Sequence, residues 1–185
     1  MEVLPRVVAA FTRAADATQY AQKDAVMPNP AAPMVFDVAG GVNFQGRVTG
    51  ARMTIAAASG NLVTANLSLG LYLFRGVTDI PFAGNAYPAD NAALTFTEAM
   101  LQQLVGVFRF DPTGWDPVDG GVGYQTVGLA TRPYASFNLD ALTQGSPAIA
   151  RPKLNGLIRV EGSVGWNPGN VAQSFQCQLD VENAG

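Results

Sequence analysis

The sequence predicts a mainly β fold: an antiparallel β-sandwich, jelly-roll-like domain or barrel with one short helix and an extended N-terminal arm. Three observations predict it. Short runs rich in Val, Thr and Ile alternate apolar with polar residues, and clusters of Gly, Asn, Asp and Pro separate them, drawn from 20 Gly and 12 Pro. A strand–helix alternation of the kind that builds parallel sheets is missing. A length of 185 residues suits one domain with its own core, and the pattern divides it into an arm at 1–33 and a single β domain at 34–185.

Taken in order, Val7 to Phe11 is apolar, and the chain then passes through Asp16, Thr18 and Tyr20 to Met27-Pro-Asn-Pro-Ala-Ala-Pro33. Pro28, Pro30 and Pro33 remove backbone donors and fix φ, so this stretch is extended. Phe44 to Ala56 alternates loosely and reads as a strand. After the turn signal Ser59-Gly60-Asn61, Leu62 to Phe74 is a strand with Leu67, Leu69, Leu71 and Leu73 on the core face and a less apolar face opposite. Residues 75–94 carry Pro81, Gly84, Asn85 and Pro88 and read as a long contact loop. Thr95 with Glu98 matches a capping box, which predicts a helix through Met100, Leu101, Leu104 and Val105 that Gly106 ends.

Val107 to Phe110 is then a short strand, and Asp111 to Gly121 a loop or turn. Tyr124 to Thr131 and Tyr134 to Leu139 are two strands joined at Arg132-Pro133, and 140–153 is a further loop. Leu154 to Val164 is a strand with Ile158 and Val160 opposite Leu157, Arg159 and Glu161. Val171 to Val181 alternates strictly, with Phe175, Cys177, Leu179 and Val181 turned inward.

Composition narrows the function classes. Hydrophobic residues make up 48% and charged residues 14%, a balance that does not point to disorder, which combines low hydrophobicity with high net charge. The formal net charge of -3 comes from scattered residues, so the basic stripe that nucleic acid requires is missing. No apolar run approaches the length that spans a bilayer, and Met-Glu-Val-Leu-Pro-Arg lacks the pattern of a signal peptide. The expectation is a protein made in a cytoplasm, with neither nucleic acid nor membrane as partner.

Catalytic chemistry finds little support. The sequence has no His and one Cys, which removes the commonest general base, the usual triad partner and the nitrogen and sulfur ligands of zinc. Asp111, Asp116 and Asp119 fit no calcium loop and read as solvated turn formers beside Pro and Gly. Lys23 and Lys153 lack a Ser at Ser-x-x-Lys spacing, and Gly40-Gly41 and Gly120-Gly121 lack the context of a phosphate cradle. Cys177 reads as a buried small hydrophobe. Trp115, Trp166, Tyr72, Phe74, Tyr87 and Tyr134 fit either a sugar-stacking platform or core and intersubunit packing. The expectation is a non-enzyme without cofactor.

Two stretches carry a resemblance. One is Phe11-Thr-Arg-Ala-Ala-Asp-Ala-Thr-Gln-Tyr-Ala-Gln-Lys-Asp-Ala-Val26; the other runs from Leu71-Tyr-Leu-Phe through Pro88-Ala-Asp-Asn-Ala-Ala to Leu104-Val-Gly-Val107. They resemble a family of small structural proteins encoded among the head genes of tailed bacteriophages and prophages, whose members open with Thr-Arg-x-x-x-x-Thr-x-Tyr-x-x-x-Asp-x-Val. The proline run Pro28 to Pro33 departs from the polar, Ser-rich stretch usual there, which leaves the path of the arm open. The resemblance implies a virion protein. By fold and genomic analogy it implies a capsid decoration or cement protein on the capsid surface, a homotrimer bound to the major capsid protein. A tail or baseplate component and a host-glycan-binding β module are the alternatives.

On that reading the contacts with capsid or sister subunits are expected from the arm, at Val7, Phe11, Tyr20, Met27, Pro28, Pro30 and Pro33, because extended segments add to sheet edges or lie in grooves. Phe82 and Tyr87 of the long loop are the second set.

Overall fold

A computed structural model describes residues 6–38, 44–60, 62–75, 87–119, 121–128, 135–139 and 153–183. The described residues form eleven strands: β1 (Val7–Arg13), β2 (Ala25–Val26), β3 (Met34–Asp37), β4 (Phe44–Ala57), β5 (Leu69–Arg75), β6 (Leu104–Phe110), β7 (Asp116–Asp119), β8 (Val122–Gly128), β9 (Ala135–Leu139), β10 (Lys153–Val160) and β11 (Gln173–Asn183). Among the described residues there is one α-helix, α1, at Glu98–Gln102. Every strand pair is antiparallel. The first sheet has six strands in the order β1-β11-β4-β8-β7, with β9 also on β4; the second has five, β2-β10-β5-β6, with β3 also on β10. This is the sandwich-like antiparallel β class that the alternation predicts.

The principal core lies between the sheets. Phe175, Cys177, Leu179 and Val181 of β11 enter it, as do Met53 and Ile55 of β4, Leu69, Leu71 and Leu73 of β5, and Ile158 and Val160 of β10. The loose alternation of β4 has a structural cause: Val48 pairs Val181 and Gly50 pairs Asp180, so Thr49 is an extra residue against β11. A bulge shifts the phase of the side chains. Val48 before it and Ala51, Met53 and Ile55 after it therefore all face inward.

The second sheet buries apolar side chains on both faces. Tyr72, Phe74 and Leu157 point away from the principal core into a second cluster with Ala25, Met27, Leu94 and Met100, and Phe96 packs on it. The expected less apolar face of β5 is thus corrected. Residues 87–103 lie over it, a cover that alternation within one strand cannot announce. The strand is also shorter than expected, because a turn with Leu67 N donating to Thr64 O, and Asn66 at φ 61, precedes it.

The helix cap is Thr97, whose hydroxyl accepts from Met100 N at 3.3 Å, rather than Thr95. Leu104 and Val105, expected on the helix, start β6, and Gly106 lies inside that strand opposite Leu73. A full ladder against β5 outweighs the helical spacing of a short segment, since an isolated short helix is marginal. The Asp111–Gly121 loop likewise holds a 3-10 turn at Pro112–Gly114 and the strand β7. The expected junction at Arg132-Pro133, with Tyr134, lies outside the described residues; β8 and β9 pair with β4 at successive positions along it.

From Val7 onward the N-terminal segment is built into the sandwich, as strands joined by a turn at 22–23 and a bend at 29–30. All seven residues of β1 pair with β11, and Ala25 and Val26 pair with β10. The expected arm outside the domain is corrected accordingly: alternate residues of β1 are apolar, and Val7 and Ala9 are buried in the shared core.

Candidate interaction site

At the end of β1 the chain turns Arg13 inward, where it is fully buried. Its Nε donates to the Tyr20 hydroxyl and lies 3.2 Å from Asp90 Oδ2. Its Nη1 donates to Gln173 Oε1 at 3.2 Å, and its Nη2 to the Asp16 carbonyl. Asp90 Oδ1 accepts from the Tyr20 hydroxyl at 2.7 Å and from Met27 N at 2.9 Å. Burial, reinforced by the Asp90 carboxylate, pushes the Tyr20 phenol far above its ordinary range. A buried guanidinium is tolerable only with this degree of pairing.

Tyr20 itself is fixed by backbone bonds to Trp166 in both directions, 2.8 and 3.0 Å, and by ring stacking at 5.4 Å. The chain then binds the 88–94 stretch directly. Ala25 N donates to Ala92 O, Asn91 N to Ala25 O, and Leu94 N to Lys23 O. Arg13, Tyr20 and Lys23 to Ala25 of the first resembling stretch and Asp90 to Leu94 of the second are therefore one folded unit.

Against this unit lies an open recess of about 410 Å3, lined by Ala14, Ala15, Asp16, Met27, Pro28, Asn29, Ala31, Tyr87, Ala89 and Asp90. Hydrogen bonds from the Thr18 hydroxyl and amide hold the Asp16 carboxyl below its ordinary value. Of the residues expected to make contacts, Met27, Pro28 and Tyr87 meet here. Pro30 is exposed, after a cis bond from Asn29, and Pro33 is half-buried. Val7 and Tyr20 are core residues, and the Met27 side chain is 2% exposed, so these three fill the protein's own interior. Phe11 is half-buried, stacked on Phe175 at 5.2 Å. Phe82 lies outside the described residues. Sequence reasoning missed Arg13 and Asp90; the signal for the first was a lone Arg at the end of an apolar alternating run.

A second polar cluster sits on the back of the second sheet. Arg159 Nε donates to Glu161 Oε1 at 2.8 Å, the Tyr72 hydroxyl donates to the same oxygen at 2.6 Å, and Arg109 lies 3.2 Å from Oε2. Burial raises the Tyr72 phenol to about 12. Burial also works against the Glu161 carboxylate, but the hydrogen bonds from Arg159 and Tyr72 and the charges of Arg159 and Arg109 outweigh it and hold the carboxyl below its ordinary value. The Arg159 guanidinium sits 4.9 Å over the Phe96 ring, so the cluster fastens the 87–103 cover to the sheet.

Neither cluster presents an activated nucleophile. Cys177 is fully buried and its thiol is pushed far up by desolvation. Among the described residues no group of three Cys, Asp or Glu is placed to hold a metal ion, and no helix is long and apolar enough to cross a membrane. Trp115 is 7% exposed, its Nε1 donating to Leu67 O at 2.8 Å, and Trp166 is fully buried. The glycan-binding alternative calls for an exposed Trp115 or Trp166; both indoles are core, the other reading of these aromatics.

No protein-family profile matches the chain, and no curated protein matches it. Among solved structures it is similar to a chain of the full particle of Deformed Wing Virus, at 9% identity over 98% of this chain and 77% of that one, with a TM-score of 0.31. A chain of the full particle of Israeli acute paralysis virus heated to 63 degrees gives 11% identity, 98% and 71% coverage, and a TM-score of 0.28. Likenesses this loose carry no argument about what the protein does.

Proposed function

We propose that the chain is a virion structural protein, and within that class a head decoration or cement protein of a tailed phage that binds the major capsid protein. The observation that supports it is the union of the two stretches resembling the phage head family. Arg13, Tyr20, Asp90 and the backbone of 23–26 and 91–94 are partners, so the shared residues serve architecture rather than catalysis. A low-charge surface suits broad contacts that salt weakens little. Symmetric copies sum modest contacts into firm attachment. The recess beside Pro28 and Tyr87, lined also by Asp16, Asn29 and Asp90, is the site for a side chain of the shell.

The test is to mix purified protein with undecorated capsids, reisolate the particles, count copies and measure the disruption temperature. Uptake at a symmetry-related number with a raised disruption temperature is the expected outcome. Uptake by isolated tails and none by capsids moves the protein to the tail.

A further inference from the structure

The walls of the recess beside Pro28 and Tyr87 select the class of side chain it admits. Its volume is about 410 Å3; Asp16 and Asp90 are the charged residues of its lining, and neither Lys nor Arg lines it. The two carboxylates differ in what they still offer. Asp90 is engaged: Oδ1 accepts from the Tyr20 hydroxyl and Met27 N, and Oδ2 lies 3.2 Å from Arg13, which is fully buried behind it. Asp16 is exposed and only half engaged. Its Oδ1 accepts from the Thr18 amide at 2.8 Å and the Thr18 hydroxyl at 2.7 Å, and its carbonyl accepts from Arg13. Its Oδ2 has no partner among the described residues. Two carboxylates and one guanidinium leave the unit one negative charge, and that charge faces outward on Asp16.

Side-chain classes fare differently against these walls. An apolar group covers the Asp16 carboxylate without pairing it, which costs free energy. An acidic group meets a like charge. A neutral amide can reach Oδ2 but leaves the charge uncompensated. A long cation suits the whole lining: its methylenes pack on Ala14, Ala15, Ala31 and Pro28 while its head reaches Asp16. Tyr87 lies in the same lining, an aromatic neighbour that favours a cation over a neutral group.

We propose that the recess receives the cationic side chain of one Arg or Lys of the capsid surface, its head group on Asp16 Oδ2. The proposal rests on the head-protein reading and names the chemistry of its contact. Thr18 holds the carboxylate in place before the partner arrives, so little side-chain freedom is lost on binding.

Two measurements separate this contact from the reading it rests on. In the first, undecorated capsids are titrated with wild type, Asp16→Asn and Asp16→Lys. The Asn variant keeps an oxygen for Thr18, so the local turn stays and the charge goes. Uptake weakens about tenfold for Asp16→Asn, the worth of one charge-assisted hydrogen bond. It weakens further for Asp16→Lys, which sets like charges together. Equal uptake of all three overturns the contact and leaves the head reading standing. Failure of wild type to be taken up overturns the head reading and, with it, the shell as the source of the cation.

The second measurement needs no capsid. N-acetyl-arginine amide or N-acetyl-lysine amide is added to the isotopically labelled full chain at about 10 mM, where a site of millimolar affinity is mostly filled. The backbone amide resonances of Ala14, Ala15 and Ala31 shift with either cation. They stay in place with N-acetyl-glutamine amide, and in Asp16→Asn they stay in place with all three. No shift with either cation, or an equal shift with the glutamine amide, overturns the cationic recess whatever the capsids do.

Discussion

Replacing Asp90 by Ala tests the polar unit that joins the two resembling stretches. The change leaves the Arg13 guanidinium, fully buried, without its carboxylate, and removes the acceptor for the Tyr20 hydroxyl and Met27 N. Breaking a buried ion pair on one side costs about 3–5 kcal/mol. The Asp90 side chain is 19% exposed and Arg13 keeps its bonds to Gln173 and the Asp16 carbonyl, which places the cost at about 3 kcal/mol, the lower end. For a chain of this size each kcal/mol shifts the melting temperature by about 2–4 °C, so the midpoint falls by roughly 6–12 °C. Thermal unfolding followed by circular dichroism measures it. Arg109→Ala is the comparison: its side chain is 64% exposed, and its pair with Glu161 is worth less than about 1 kcal/mol. The reasoning is refuted if Asp90→Ala costs no more than Arg109→Ala. Exchanging both partners, as Arg13→Met with Asp90→Leu, recovers much of the loss, since no charge is then stranded.

Further outcomes follow from other sites. Gly165→Ala destabilises far more than Gly169→Ala in urea unfolding: both sit near φ +75, but a Cβ at 165 lies 2.3 Å from the Tyr20 carbonyl oxygen, whereas at 169 the nearest atom is 3.9 Å away. Because Glu161 is depressed in the folded state, it contributes stability above the ordinary carboxylate range that is lost as pH falls through its folded value; Glu161→Gln flattens this acid limb in unfolding free energies measured against pH. Tyr72, raised to about 12, acts oppositely: its contribution is lost as pH rises from 10 towards 12, and Tyr72→Phe removes that part of the alkaline slope. Cys177 stays unmodified by a thiol reagent in the native protein and reacts once the chain is unfolded.

Strand β11 was legible because a strand with one face in a core writes its burial as strict alternation, and its four inward residues were read correctly. Reading was harder wherever a partner distant in sequence decided the outcome. Leu104 and Val105 fit a helix until β5 is placed beside them, and Tyr72 and Phe74 look half-solvated until the 87–103 segment covers them. The polar unit shows the same limit. The sequence reads Tyr20 as a contact residue, yet its hydroxyl is spent on Asp90, in a segment that single-sequence reasoning treats separately. Prolines at 28, 30 and 33 rule out a helix, and the chain bends there rather than forming one, but an apolar run such as Val7 to Phe11 reads equally as an edge strand and as a free arm, which places Val7 and Met27 outside a core they help to fill.

The double covering of the second sheet also sets the order in which the molecule comes apart. β10 is flanked by β5 on one side and by β2 and β3 on the other, and its Ile158 and Leu157 sit in separate apolar clusters. Its amides can meet solvent only after both clusters open, so their hydrogen exchange tracks global unfolding. The 95–103 part of the cover, unlike the 88–94 part tied to Arg13 and to residues 23–25, rests on that face and is expected to lift while the sandwich beneath it stays whole. A rigid plate under a detachable lid gives the molecule two thresholds for loss of order, and the lower one uncovers Tyr72 and Phe74 first.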